Sequence, residues 1–123
     1  MPHVRVDLDE KFRTRIPEIG DALHLSLVQG LNMEDDDLFQ IFTVHQPGEI
    51  RFSPTYPGAQ RSELILIQIL ASFGYTPDDK RAFYKRVVDN MVSLGFAQDE
   101  LLVSIIEIDG ENNWHAPEHS VTE

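Results

Sequence analysis

The run Leu94-Gly95-Phe96-Ala97-Gln98-Asp99-Glu100-Leu101 lines up without a gap on Leu31-Asn32-Met33-Glu34-Asp35-Asp36-Asp37-Leu38. Asn32 and Gly95 coincide, and both residue types accept the left-handed conformation that ends a helix. Upstream of the first run, Ile16, Ile19, Leu23 and Leu27 fall on one helical face. Thr14 is a cap for that helix, Pro17 is tolerated in its first turn, and Gly30 or Asn32 supplies the left-handed stop. Upstream of the second run, Phe83, Val87, Met91 and Leu94 mark the matching stripe. Thr76-Pro77-Asp78-Asp79 starts that helix with a cap, a proline at the first helical position and acidic residues in the first turn.

Each helical pattern sits between two strand patterns. His3-Val4-Arg5-Val6-Asp7-Leu8 alternates polar and apolar, as a half-buried strand does. Leu38-Phe39-Gln40-Ile41-Phe42-Thr43-Val44 follows the first helix. Glu63-Leu64-Ile65-Leu66-Ile67-Gln68-Ile69-Leu70 is nearly continuously apolar, which predicts an interior strand covered on both faces. Leu101-Leu102-Val103-Ser104-Ile105-Ile106 follows the second helix. Between the halves, His45-Gln46-Pro47-Gly48 reads as a turn, Glu49 to Ser53 as a short return strand, and Pro54 to Gln60 as a loop.

The chain is therefore expected to be one α+β domain over residues 1–123, built from two tandem β-α-β units at about 2–45 and 62–108. A tail at 110–123 follows. Right-handed crossovers give a four-stranded mixed sheet with both helices on one face. The other face is then an apolar liability unless subunits pack against it, so a closed homo-oligomer is expected.

Composition narrows the function. In 123 residues the hydrophobic share is 41% and the net charge −11, enough apolar content for a core but the wrong sign for nucleic acid or an anionic membrane surface. A small anionic substrate stays open, because one local cation overrides a global field. With no cysteine, disulfide and thiolate chemistry are excluded and a reducing cytoplasm is compatible. No signal or transit pattern is read at the start, and the longest apolar stretch, Leu64 to Ala71, is too short for a bilayer. His3, His24, His45, His115 and His119 form no metal-binding spacing, and no glycine-rich phosphate loop occurs. Neither a metal nor a cofactor is expected.

One chemically distinctive group remains. Pro2 follows Met1 at the mouth of the first strand. Removal of Met1 leaves a secondary amine whose ordinary pKa, about 7.7–8.0 for an α-amine, suits proton transfer near neutrality. If Met1 is kept, that nitrogen is an amide without a basic lone pair. Pro2 is also a residue type that starts an edge strand for want of an N–H.

Pro2 on a strand, the tandem units, Asp36-Asp37-Leu38-Phe39-Gln40, His45-Gln46-Pro47-Gly48-Glu49, Arg61-Ser62 and Asn113-Trp114 together resemble the tautomerase superfamily over roughly residues 2 to 115. The branch they resemble most is the malonate semialdehyde decarboxylase-like one. The resemblance implies a homotrimer whose sheets form a central barrel, and no cofactor. It implies Pro2 as the catalytic amine, Asp37 as the residue that orients water or polarises substrate, and Trp114 as apolar wall. The family places two arginines for the substrate carboxylate after the third strand. Here those positions hold Phe73 and Tyr75.

Several side chains carry two readings. Burial against Phe39, Phe73 or Trp114 lowers the amine pKa and favours a base; a close Asp37 carboxylate raises it and favours an acid. Asp37 is either catalytic or part of a solvated acidic run, Glu34 to Asp37. Tyr75 either donates to a substrate oxygen or packs, and Phe73 either walls the site or packs. Arg61 is the remaining candidate cation for a substrate, or makes a structural ion pair. His45 is expected to bond to Glu49 or the loop backbone. Trp114 lines either a wall or an interface, and the tail either folds over a neighbour or is disordered beyond about Pro117. The leading expectation is a cytoplasmic, cofactor-independent isomerase for keto–enol tautomerisation of a small α-keto or enol acid. A decarboxylase or hydratase, and a trimeric binding protein without catalysis, are the alternatives.

Overall fold

A computed structural model describes residues 3–118; Pro2 and the last five residues of the tail lie outside the described residues. The elements run β1 (His3–Asp9), a 3-10 helix (Glu10–Arg15), α1 (Ile16–Gly30), β2 (Gln40–His45), β3 (Ile65–Ser72), α2 (Pro77–Val92), a 3-10 turn (Gln98–Glu100) and β4 (Leu101–Ile108). The sheet order is β2-β1-β3-β4. β1 and β2 are parallel, as are β3 and β4, while β1 and β3 run antiparallel in the centre. This is the mixed sheet expected of two tandem β-α-β units.

The period of two decides which face is covered. Val4, Val6 and Leu8 of β1 and Ile65, Ile67, Ile69 and Ala71 of β3 are buried under the helices. Ile19, Leu23 and Leu27 of α1 and Phe83, Val87 and Met91 of α2 complete the core. Between the helices, Asn90 Nδ2 donates to Ser26 Oγ at 2.9 Å, and Ser26 Oγ donates to the Ala22 carbonyl at 2.8 Å. That chain satisfies the buried hydroxyl of Ser26.

Register assigns Arg5, Asp7, Ile41, Leu66, Gln68, Leu70, Leu102 and Ile106 to the opposite face. Ile41, Leu102 and Ile106 stand 46–48% exposed there. The chain thus covers β3 on one face only, contrary to the both-faces expectation, because both helices lie on the same side.

Other expectations are corrected locally. No strand forms at Glu49 to Ser53; residues 49–53 are bends and irregular chain. Thr14 does not cap α1: it lies inside the 3-10 helix, and the cap position of α1 is Arg15, which makes no side-chain capping bond. The cap belongs to the turn before it, where Asp9 Oδ1 accepts from the Lys11 N–H at 2.9 Å. Thr76 and Asp79 do form a reciprocal capping box on α2, with bonds of 3.1 and 2.9 Å. At the end of α1, Asn32 (φ 55°) takes the left-handed role while Gly30 stays helical. Gly30 serves a different need: a Cβ there would lie 3.1–3.3 Å from Phe83 of α2.

Candidate active site

Antiparallel pairing of β1 with β3 brings the start of β1 beside the end of β3. His3 pairs with Leu70, and Val4 with Ile69. Parallel pairing with β2 brings the same point beside the loop entering β2, where the Val4 N–H donates to the Phe39 carbonyl at 2.9 Å. The end of β4 lies there too, since Ser72 pairs with Ile108 and the Phe73 N–H donates to the Ile108 carbonyl at 3.0 Å. One end of the sheet therefore gathers the loop bearing Asp37 and Phe39, the corner bearing Phe73 and Tyr75, and the segment leading to Trp114. A cavity of about 360 Å³ opens here, lined by His3, Arg5, Leu38, Phe39, Gln40 and Ile41.

Asp37 is half-buried, in a turn closed by its own N–H donating to the Glu34 carbonyl at 3.1 Å. Burial pushes its carboxyl above the ordinary aspartate value; Asp36 adds to the rise and His24 opposes it. A carboxyl so placed holds its proton more readily than one in a solvated acidic run.

Tyr75 is half-buried, and its hydroxyl donates to the Leu31 carbonyl at 3.1 Å. Its phenol is pushed up by burial first, then by Asp79 and Asp37. The phenol proton is committed to the exit of α1, so the hydroxyl presents a lone pair rather than a donor. Phe39 and Phe73 are 51% and 65% exposed: apolar surface at the chain-start end that this chain alone does not cover.

Trp114 is seated by a turn that sequence reasoning passed over. Asp109 Oδ1 accepts from the N–H groups of Glu111 (2.8 Å) and Asn112 (3.2 Å), and Oδ2 from Asn112 Nδ2 (2.9 Å). These bonds, the Asn112 side chain foremost, hold the Asp109 carboxyl below the usual range. Trp114 Nε1 then donates to the Gly110 carbonyl at 2.7 Å. The signal was an aspartate two and three residues before polar turn residues, an Asx turn.

Arg61 is elsewhere. It lies at the opposite end of the sheet, where Nε donates to the Asp99 carbonyl (2.7 Å) and Nη1 to the carbonyls of Ser53 (2.5 Å) and Tyr56 (2.6 Å). Its guanidinium pins the 53–61 loop. His45 differs from expectation as well: Nε2 pairs with Asp7 Oδ1 at 2.7 Å, while Glu49 accepts from the Gln46 N–H at 2.5 Å. Among the described residues no three His, Asp or Glu side chains cluster as metal ligands, and no helix is long and apolar enough to cross a membrane.

Known proteins share this fold. Residues 37–114, more than half of the chain, match the family described as "Tautomerase enzyme". The chain belongs to the tautomerase superfamily. It is 24% identical over 108 residues to the probable tautomerase YusQ of Bacillus subtilis (strain 168), covering 85% of each. Among solved structures it superposes on FG41 malonate semialdehyde decarboxylase with a TM-score of 0.87 at 28% identity, covering 96% of this chain and 91% of that one. It also superposes on a fused 4-OT symmetric trimer with a TM-score of 0.78 at 14% identity, covering 97% and 94%.

Proposed function

We propose that this chain is a cofactor-independent tautomerase acting on a small α-keto or enol acid, with the amine of Pro2, freed of Met1, as the proton carrier. The observation that carries the reading is the convergence at one end of the sheet. β1 starts beside Leu70 and Phe39, so the chain enters the sheet at that end. Asp37 lies on the loop entering β2, and Phe73 and Tyr75 on the segment leaving β3, at that same end. In the reaction the neutral amine takes the proton from the enol oxygen as the C=O forms, and the resulting ammonium returns one to the double-bond carbon that does not bear that oxygen. Charge and atoms balance without an oxidant or a metal. The exposed rings of Phe39 and Phe73 supply apolar surroundings that disfavour the ammonium and keep the amine a base. A carboxylate at Asp37, on the loop entering β2, limits that shift by favouring the ammonium.

The open sheet face supports assembly as a homotrimer, with Ile41, Leu102 and Ile106 buried between copies. The fused 4-OT structure of similar fold is a symmetric trimer. Burial between copies also closes the site's apolar wall.

A second reading is favoured by the 28% identity to a malonate semialdehyde decarboxylase. A protonated Pro2 with Asp37 positioning water would give a decarboxylase or hydratase. One comparison tests both. Protein whose intact mass shows loss of Met1 is assayed with phenylpyruvate enol and with acrylate and semialdehyde acids, alongside Pro2→Ala. Ketonisation lost in the variant supports the first reading. Carbon dioxide release or hydration as the dominant turnover supports the second, and no turnover by processed protein refutes both.

A further inference from the structure

The loop that carries Asp37 is held to α1 by two struts one helical turn apart. At the loop's start, His24 Nε2 donates to the Asp35 carbonyl at 2.6 Å. At its end, Gln40 Nε2 donates to the Gly20 carbonyl at 2.8 Å. Positions 20 and 24 lie on the same face of the helix, and Asp37 lies between the two tethered points. The second strut packs on a glycine: a Cβ at Gly20 would sit 2.6 Å from Gln40 Oε1, so the Gln40 amide would have to shift.

The first strut carries a penalty. With Nε2–H spent on Asp35, the other ring nitrogen, Nδ1, is buried without a partner. A buried unpaired polar atom is unfavourable, and an apolar residue at position 24 would avoid it. The bond made by the other nitrogen offsets that loss, and it ties down the turn from which Asp37 projects.

We propose that His24 is the positioning residue for Asp37, acting by holding the loop against α1 rather than by donating charge or touching substrate. The proposal rests on the reading of Asp37 as part of the active site. The two modes differ in sign. If His24 acts by its charge, removing it loses an attraction that favours the carboxylate, and Asp37 titrates higher. If it acts by holding the loop, removing it lets Asp37 into water, and Asp37 titrates lower, toward the ordinary aspartate value.

The test uses the processed full chain with 13C-carboxyl-labelled aspartate, the Asp37 signal being assigned by its loss in Asp37→Asn. In His24→Ala the Asp37 midpoint is expected to fall. In His24→Gln, whose amide can still donate to Asp35, it is expected to return toward the native value. In turnover, His24→Ala combined with Asp37→Asn is expected to be no slower than Asp37→Asn alone, within about twofold. A rise or no change in the Asp37 midpoint, or full additivity of the two substitutions, overturns the proposal. If Pro2→Ala leaves turnover intact, the tautomerase reading fails by itself; the titration still decides whether His24 holds Asp37.

Discussion

Tyr75→Phe separates a structural phenol from a substrate-binding one. The hydroxyl makes one hydrogen bond, to the Leu31 carbonyl at 3.1 Å, at a half-buried site. A net contribution of about 0.5–1.5 kcal/mol is expected for such a bond. The partner is a carbonyl at the exit of α1 rather than a deeply buried group, so the lower half of that range applies. For a chain of this length a loss of about 1 kcal/mol lowers the melting temperature by roughly 3–5 °C. The phenylalanine keeps the ring, so the wall of the site is preserved. Calorimetry and ketonisation kinetics on the same sample make the test. The expected result is a small drop in stability with kcat and KM within about threefold of native. The pH dependence gives an independent check. Burial, Asp79 and Asp37 raise the phenol above its ordinary value, so the folded state binds that proton more tightly than the unfolded one. The stability it contributes is full below about pH 10 and is lost as pH climbs through the folded value. Tyr75→Phe should flatten that alkaline decline. A fall in kcat of a hundredfold with unchanged stability would refute the reasoning and return Tyr75 to the substrate.

Asp37→Asn should separate stability from turnover in opposite directions. Because burial raises the Asp37 carboxyl, its ionised form is less stable folded than unfolded, so the variant is expected to melt at or above the native temperature at pH 7. Turnover should fall by about 10² or more, as loss of a positioned acid–base group does. Asp109→Ala should untie the turn that seats Trp114, the only tryptophan, and shift its fluorescence to the red. In the native protein the same shift is expected at acid pH, as the depressed Asp109 carboxyl protonates below the usual carboxylate range. Leu102→Glu with Ile106→Glu should dissociate the proposed trimer in analytical ultracentrifugation, since covering each of these half-exposed side chains contributes about half of the roughly 1.5–3 kcal/mol of full burial.

The helices and strands were legible because period and punctuation agreed. Thr76-Pro77-Asp78-Asp79 carried a cap, a proline and first-turn acids together, and it is a capping box in the structure. The gapless match of the two helix exits reflects a shared geometry, with Asn32 and Gly95 both at positive φ. Thr14 failed as a cap because a 3-10 helix intervenes before α1, and nothing in a hydrophobic period reports that. Glu49 to Ser53 failed as a strand because composition says nothing about an available edge. In the site, Asp37, Phe39, Phe73 and Tyr75 were brought to one end by the pairing of β1 with β2 and β3. Arg61 was not, because a lone arginine carries no sign of which end of the sheet it serves. The His24 and Gln40 struts were invisible for a related reason. Both depend on how close α1 lies to the loop before β2, which is a packing distance rather than a pattern.

The central claim is that a free secondary amine at Pro2 carries the proton. It is tested most directly by following the 15N signal of labelled Pro2 with pH and comparing its midpoint with the pH dependence of kcat/KM for phenylpyruvate enol. The account predicts a titrating amine at or below the ordinary value of about 7.7–8.0, with both midpoints coinciding. A nitrogen that does not titrate, or one whose titration leaves kcat/KM unmoved, would contradict it.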